Sequence, residues 1–179
     1  MTESSEQDIL TCWLIPAEPA RSYFVALIGD LSERFDAPVF EPHVTTYVTQ
    51  AEDEDPTELL DRALADCPAH RLLISGIDYS AEFTKTMFVQ FQATDEITRL
   101  RANFRRASVA GNEYRVNPHL SLIYKTMPRE AKQEIAASIK LPFTEVLFDS
   151  VKAVISPAKI KSRENVEAWR VVATRSLTG

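Results

Sequence analysis

Pro42-His43-Val44-Thr45 and Pro118-His119-Leu120-Ser121 lie 76 residues apart in a chain of 179. Each tetrapeptide ends a helix-and-loop stretch and opens a β-branched, apolar run that reads as a strand. Each is followed by a proline-led helix, at Pro56 in one case and Pro128 in the other. That second offset is 72, so the first copy carries four extra residues, in the acidic loop around Ala51-Glu52-Asp53-Glu54-Asp55. The chain therefore reads as an internal duplication.

Working outward, hydrophobic periodicity predicts strands over 11–15, 43–49, 72–79, 84–93, 119–124, 144–155 and 168–174. Residues 1–9 read as a frayed tail. A helix over 19–35 carries the stripe Phe24, Leu27, Ile28, Leu31, Phe35. Asp55-Pro56 caps a second helix, which should stop at Cys67-Pro68. Thr94 caps a third, with the stripe Ile97, Leu100, Phe104, Ala107 and a stop at Gly111. A fourth covers about 128–139. The order is β-α-β-α-β, then β-α-β-α-β-β. It implies an α+β fold with mostly antiparallel sheets, as two lobes of one domain, about 10–80 and 84–176, around a central cleft.

Composition bounds the function. The chain is 45% apolar and 26% charged, with 4 Gly and 10 Pro. That is a globular domain, not a disordered or fibrous chain. No apolar run approaches the ~18 residues of a membrane span. The polar start MTESSEQD lacks the features of a signal peptide, so the expected setting is the cytosol. There Cys12 and Cys67 should be free thiols. A net charge of −6 disfavours long nucleic acid, which needs a dense basic face. A small anionic substrate needs only one local basic pocket.

In a strand, residues i and i+2 share a face. His43 projects with Thr45, and His119 with Ser121. A pseudo-twofold axis would bring both pairs to one cleft. Two imidazoles near neutral pH are a matched acid and base. The hydroxyls can donate to anionic oxygens. A strained cyclic phosphodiester fits this set without a metal or cofactor. Zinc would want three or four ligands at a recognisable spacing, and none is present. Ser121 is not in a nucleophile elbow. His70 lies outside the repeat and reads as a surface or strand-edge residue. The run Glu52–Asp55 reads as a solvated loop ending in a helix cap.

The two His-x-Thr/Ser motifs match the tandem motif of the 2H phosphoesterases. Trp13-Leu-Ile-Pro, Phe40-Glu-Pro-His43-Val-Thr45 and Pro118-His119-Leu-Ser121-Leu-Ile-Tyr124 resemble the cyclic phosphodiesterase branch, over about residues 11–176. The resemblance implies a bilobal fold with the four motif residues in its cleft. It implies metal-independent opening of nucleoside 2′,3′-cyclic phosphates, or of ADP-ribose 1″,2″-cyclic phosphate. By family analogy His119 activates water and His43 protonates the leaving oxygen, although the residues themselves do not distinguish the roles. Tyr124 matches a tyrosine near the phosphate, but strict alternation from His119 puts it on the opposite face unless a bulge intervenes. Trp13 is a candidate stacking surface for a base, or a core tryptophan, and Phe83 a weaker candidate. Lys85, Arg115 and Lys125 could add positive potential. The expected partner is a small cyclic nucleotide bound by a monomer, with no membrane. The alternatives are the RNA-end branch resembling 2′-5′ RNA ligases and a non-catalytic nucleotide-binding module.

Overall fold

The computed structural model describes residues 7–179 apart from 112, 114 and 116. Its elements are β1 (Asp8–Pro16), α1 (Ala20–Phe35), β2 (Val44–Gln50), α2 (Pro56–Ala63), β3 (His70–Tyr79), β4 (Met87–Phe91), α3 (Asp95–Ala107), β5 (His119–Ile123), α4 (Arg129–Ser138), β6 (Glu145–Pro157), α5 (Arg163–Glu167) and β7 (Arg170–Ser176). This is the α+β order expected, with one extra short helix, α5.

Local chemistry explains the boundaries. The Asp55 carboxylate accepts from the Glu58 N–H at 2.9 Å and Pro56 takes the first turn, so α2 starts where expected. It stops at Ala63, four residues before Cys67, and Asp66 takes a left-handed turn at φ 56°. Thr94 caps α3 through the Ile97 N–H. That helix ends at Ala107, and Gly111 (φ 61°) lies in the loop beyond. The tail of the sequence reading ends earlier than expected, because β1 begins at Asp8; residues 1–6 lie outside the described residues. The strand expected over 84–93 is shorter. Phe83–Lys85 forms a 3-10 turn, pinned by the Thr86 hydroxyl, which lies 2.9 Å from both the Phe83 and the Lys125 carbonyls.

Every pairing between these strands is antiparallel. β1, β2, β5, β4, β3 and β6 follow one another, and β6 returns to β1, so the six strands close a ring. β6 makes closure possible through its length. Its first residues, 145–148, pair with β3 on one edge, and 150–155 pair with β7 further along the same edge. The opposite edge runs along β1. Pairing thus crosses the division expected between residues 80 and 84: β6 of the second half lies beside β1 of the first, and β3 of the first beside β4 of the second.

The duplication recurs in the register. Cys12 faces Tyr47 but Trp13 faces Thr45, so Thr46 is an extra residue in β2. Met87 faces Ile123 but Phe88 faces Ser121, so Leu122 is an extra residue in β5. Each bulge follows its motif by one residue, bending the strand and increasing its twist there. Phe24, Ile28 and Leu31 of α1, Leu59 and Leu60 of α2, and Ile97, Leu100 and Phe104 of α3 are buried, as their spacing predicts. Glu54 departs from the solvated-loop expectation. Its side chain is fully buried, with one carboxylate oxygen taking the Ser108 hydroxyl and, at 2.6 Å, the Val109 N–H.

Candidate active site

β2 and β5 meet at one register pair, Val44 with Leu120. These are the middle residues of the two motifs, so the motif side chains converge on one cavity. It encloses about 260 Å³ and is lined by His43, Thr45, His119, Ser121, Tyr124, Glu82, Thr84 and Lys85.

The two histidines are set identically. His43 Nδ1 lies 2.6 Å from the Glu41 carbonyl oxygen, and His119 Nδ1 lies 2.7 Å from that of Asn117. A carbonyl only accepts, so each Nδ1 carries the proton. Each neutral ring then presents Nε2 as its free lone pair. Each ring also has an aromatic from the strand beside its motif. Trp13 stacks on His43 at 3.7 Å and 12°, and Phe88 meets His119 edge-on at 5.4 Å.

Burial separates the two. His43 is almost fully enclosed, and desolvation pushes its pKa down to about 4. The Glu41 carbonyl and carboxylate oppose the shift, while His119 reinforces it. His119 is also lowered by burial, with the Asn117 carbonyl opposing and the Lys85 ammonium adding to the fall. Both rings are thereby biased toward the neutral form in the unliganded cavity.

The hydroxyls differ. Ser121 Oγ donates to the Thr84 carbonyl at 2.8 Å. The Thr45 hydroxyl makes no hydrogen bond to another described residue. Tyr124 does reach the cavity, because the Leu122 bulge breaks the alternation that would have turned it away. Its ring stacks on Phe40 at 4.0 Å and 12°. Burial raises its phenol pKa, opposed by a hydrogen bond with Ser121.

Other expected residues are placed differently. Trp13 is buried, with His43 on its face and Trp169 at 5.1 Å, so it is a platform for the histidine rather than an open surface for a base. Phe83 packs 6.0 Å from Tyr124 and does not line the cavity. Lys85 lines it. Lys125 instead donates to the Asp36 carbonyl at 3.0 Å, and Arg115 is exposed away from the lining. His70 is not a surface residue. It is buried at the start of β3, its Nε2 3.5 Å from Cys67 Sγ, in a separate cavity under α3. Cys12 and Cys67 are both buried free thiols.

Sequence reasoning missed Glu82, Thr84 and Trp169. Trp169 lies 5.9 Å from both His43 and Tyr124. It arrives through the β6–β7 connection, which no repeat marks. Among the described residues no cluster of three or more His, Cys, Asp or Glu could hold a metal ion, and no helix is long and apolar enough to cross a membrane.

A family model described as cyclic phosphodiesterase-like protein matches residues 9–177. The chain belongs to that family. It is thus a cyclic phosphodiesterase, an enzyme that hydrolyses cyclic phosphodiesters. A relative, the cyclic phosphodiesterase of Arabidopsis thaliana, is 23% identical over 98% of each chain. Among solved structures, Escherichia coli LigT in its apo form is similar at a TM-score of 0.60 and 16% identity, covering 98% of this chain and all of LigT. LigT complexed with 3′-AMP is similar at 0.59 and 16%, with the same coverage. At these identities the solved structures show a shared fold. Within this cyclic phosphodiesterase the ring of strands sets the two histidines, two hydroxyls and Tyr124 around one cavity.

Proposed function

We propose that the enzyme opens small 2′,3′-cyclic nucleotides, and related compounds such as ADP-ribose 1″,2″-cyclic phosphate, without a metal ion. The observation carrying this reading is the matched pair of imidazoles. Both Nδ1 atoms are committed to backbone carbonyls, and both Nε2 atoms are left for one small cavity.

His119, less buried and beside Lys85, takes a proton from water at Nε2 as the water oxygen attacks phosphorus. His43, protonated once an anionic phosphate lies beside it, gives its Nε2 proton to the departing ribose oxygen as that P–O bond breaks. The ring opens to a monophosphate, and proton exchange with solvent resets both imidazoles. Each transfer is worth about 10²–10⁴ in rate. Thr45 and Ser121 donate to the non-bridging oxygens, where negative charge must be held. A volume of about 260 Å³ lies below the ~300–1,000 Å³ of drug-sized ligand sites, which suits a cyclic phosphate and its sugar. The binding of 3′-AMP by a protein of the same fold supports a nucleotide substrate.

The deciding experiment compares turnover of a nucleoside 2′,3′-cyclic phosphate with that of an RNA bearing a cyclic end, with and without EDTA. Turnover of the mononucleotide that survives chelation and is lost in His43→Ala and in His119→Ala supports the reading. Preference for the RNA, binding without turnover, or metal-restored activity would each overturn it.

A further inference from the structure

The two histidines lean on carbonyls that are themselves held in two different ways. Behind His43, the Glu41 carboxylate receives Lys152 Nζ at 2.6 and 2.8 Å, one contact to each oxygen. Arg21 adds a contact at 3.0 Å. Lys152 stands on β6 opposite Trp13, the residue stacked on His43. Both side chains of this pair are about four-fifths covered, at 19% and 22% exposure, so solvent screens it less than an open surface pair. Behind His119 the corresponding residue is Asn117, and no charge is involved. Gln90, directly opposite His119 on β4, uses its side-chain amide to donate to Asn117 Oδ1 at 2.9 Å and to the Pro118 carbonyl at 3.0 Å.

We propose that Glu41 and Lys152 are a positioning pair for His43, and that Gln90 and Asn117 are its uncharged counterpart for His119. The inference rests on the acid/base reading above. The pair fixes the carbonyl that holds the Nδ1 proton, so Nε2 stays aimed into the cavity. It also sets the charge behind the ring. Glu41 favours the imidazolium and Lys152 opposes it, so the pair is close to balanced. The other titratable or charged groups facing His43 are His119, Tyr124, Glu82 and Lys85 across the cavity, and Arg21 behind Glu41. The faces contributed by Trp13 and Trp169 carry no charge.

The test reads the histidines directly. The chain has three, so ¹³Cε1 NMR titration resolves each by elimination. Lys152→Met leaves Glu41 under-compensated and should raise the His43 midpoint, while Glu41→Gln leaves Lys152 unpaired and should lower it. His119 should hold its midpoint in both. Each variant should lose roughly ten- to hundredfold in kcat with little change in KM, the scale of a misplaced reacting group. Lys152→Arg should restore both the midpoint and kcat. Gln90→Ala should lower kcat without moving the His43 midpoint. Shifts of the same sign in Lys152→Met and Glu41→Gln would reduce the pair to simple packing, and an unmoved midpoint with unchanged kcat would remove it from the site. Failure of the acid/base reading would show separately, as turnover retained in His43→Ala.

Discussion

Val44 and Leu120 face each other across the single register position that joins β2 to β5. Each is fully buried and each is the middle residue of its motif. The local twofold relation of the site therefore passes between them, and because the strands run antiparallel, His43 lies toward Ser121 and His119 toward Thr45. The bulges at Thr46 and Leu122 repeat the relation one step further out. The geometry of the motif cavity and the packing of the core thus meet in one contact.

Leu120→Ala should test that coupling. Removing a fully buried leucine costs about 2–5 kcal/mol. Here it should also lower kcat more than it raises KM, because both motifs lose their common spacer. Urea unfolding and steady-state kinetics measure the two effects. Lost stability with kcat intact would make the contact structural only.

The pH profile should be acid-shifted. If catalysis needs one neutral and one protonated imidazole, kcat/KM is bell-shaped, with limbs belonging to the pair. Burial lowers both histidines, His43 to about 4. The kcat/KM maximum should therefore fall below the ordinary histidine value of ~6.5 and decline through neutrality as the second proton leaves. A bound phosphate anion favours the imidazolium, so the kcat profile should sit at higher pH than kcat/KM. Coincident profiles centred above pH 7 would contradict this.

The two hydroxyls should not be equivalent. Ser121 already donates to the Thr84 carbonyl and must give up that bond to serve the phosphate. Thr45 has no such competing bond among the described residues. Thr45→Ala should therefore cost more than Ser121→Ala, each at or below the roughly 10²–10³ of an oxyanion donor. Side-by-side kcat/KM values decide it, and a larger loss at Ser121 would reverse the assignment.

Much of this was legible in the chain because the duplication repeats chemistry as well as pattern. Two Pro-His-x-Thr/Ser runs at strand starts fix which face each side chain takes, and the helical stripes fix which faces are buried. Three features were not legible, for physical reasons. The bulge that brings Tyr124 to the cavity depends on cross-strand register, which alternation alone does not encode. Trp13 has the sequence of either a base platform or a core residue, and only the cover provided by His43 and Trp169 decides. The interleaving of the halves follows from β6 pairing with β1, β3 and β7, and a strand's own pattern of side chains does not name its neighbours.

Glu54 shows how a charged stretch can hide a buried anchor. Its carboxylate receives the Ser108 hydroxyl and the Val109 N–H and draws Arg62 to 3.9 Å, tying the start of α2 to the end of α3. Glu54→Ala should destabilise by about 1–3 kcal/mol, because two donors lose their acceptor. The neighbouring exposed Asp53→Ala should be near neutral. Thermal unfolding of the two variants separates them, and equal melting temperatures would return Glu54 to the solvated loop.

His70 supplies the control for the whole site, with a stability effect that the exposed-histidine expectation did not include. It lies outside the cavity lined by the two motifs, so His70→Ala should leave turnover near wild type. It is buried against Cys67, so the variant should lose about 1–3 kcal/mol at pH 7.5. Burial lowers the His70 pKa, with Glu96 opposing and Arg99 adding to the fall. A histidine whose folded pKa lies below its unfolded value binds more protons unfolded. Its stabilising effect is therefore complete above ~6.5 and fades as pH falls toward the folded value. Wild type should lose this contribution on acidification and the variant should not, so the stability gap should narrow between pH 7.5 and pH 5. Urea titrations at the two pH values measure the gap. A gap that widens would mean that His70 is charged in the folded protein, and a large fall in kcat would place it within the reach of the catalytic pair.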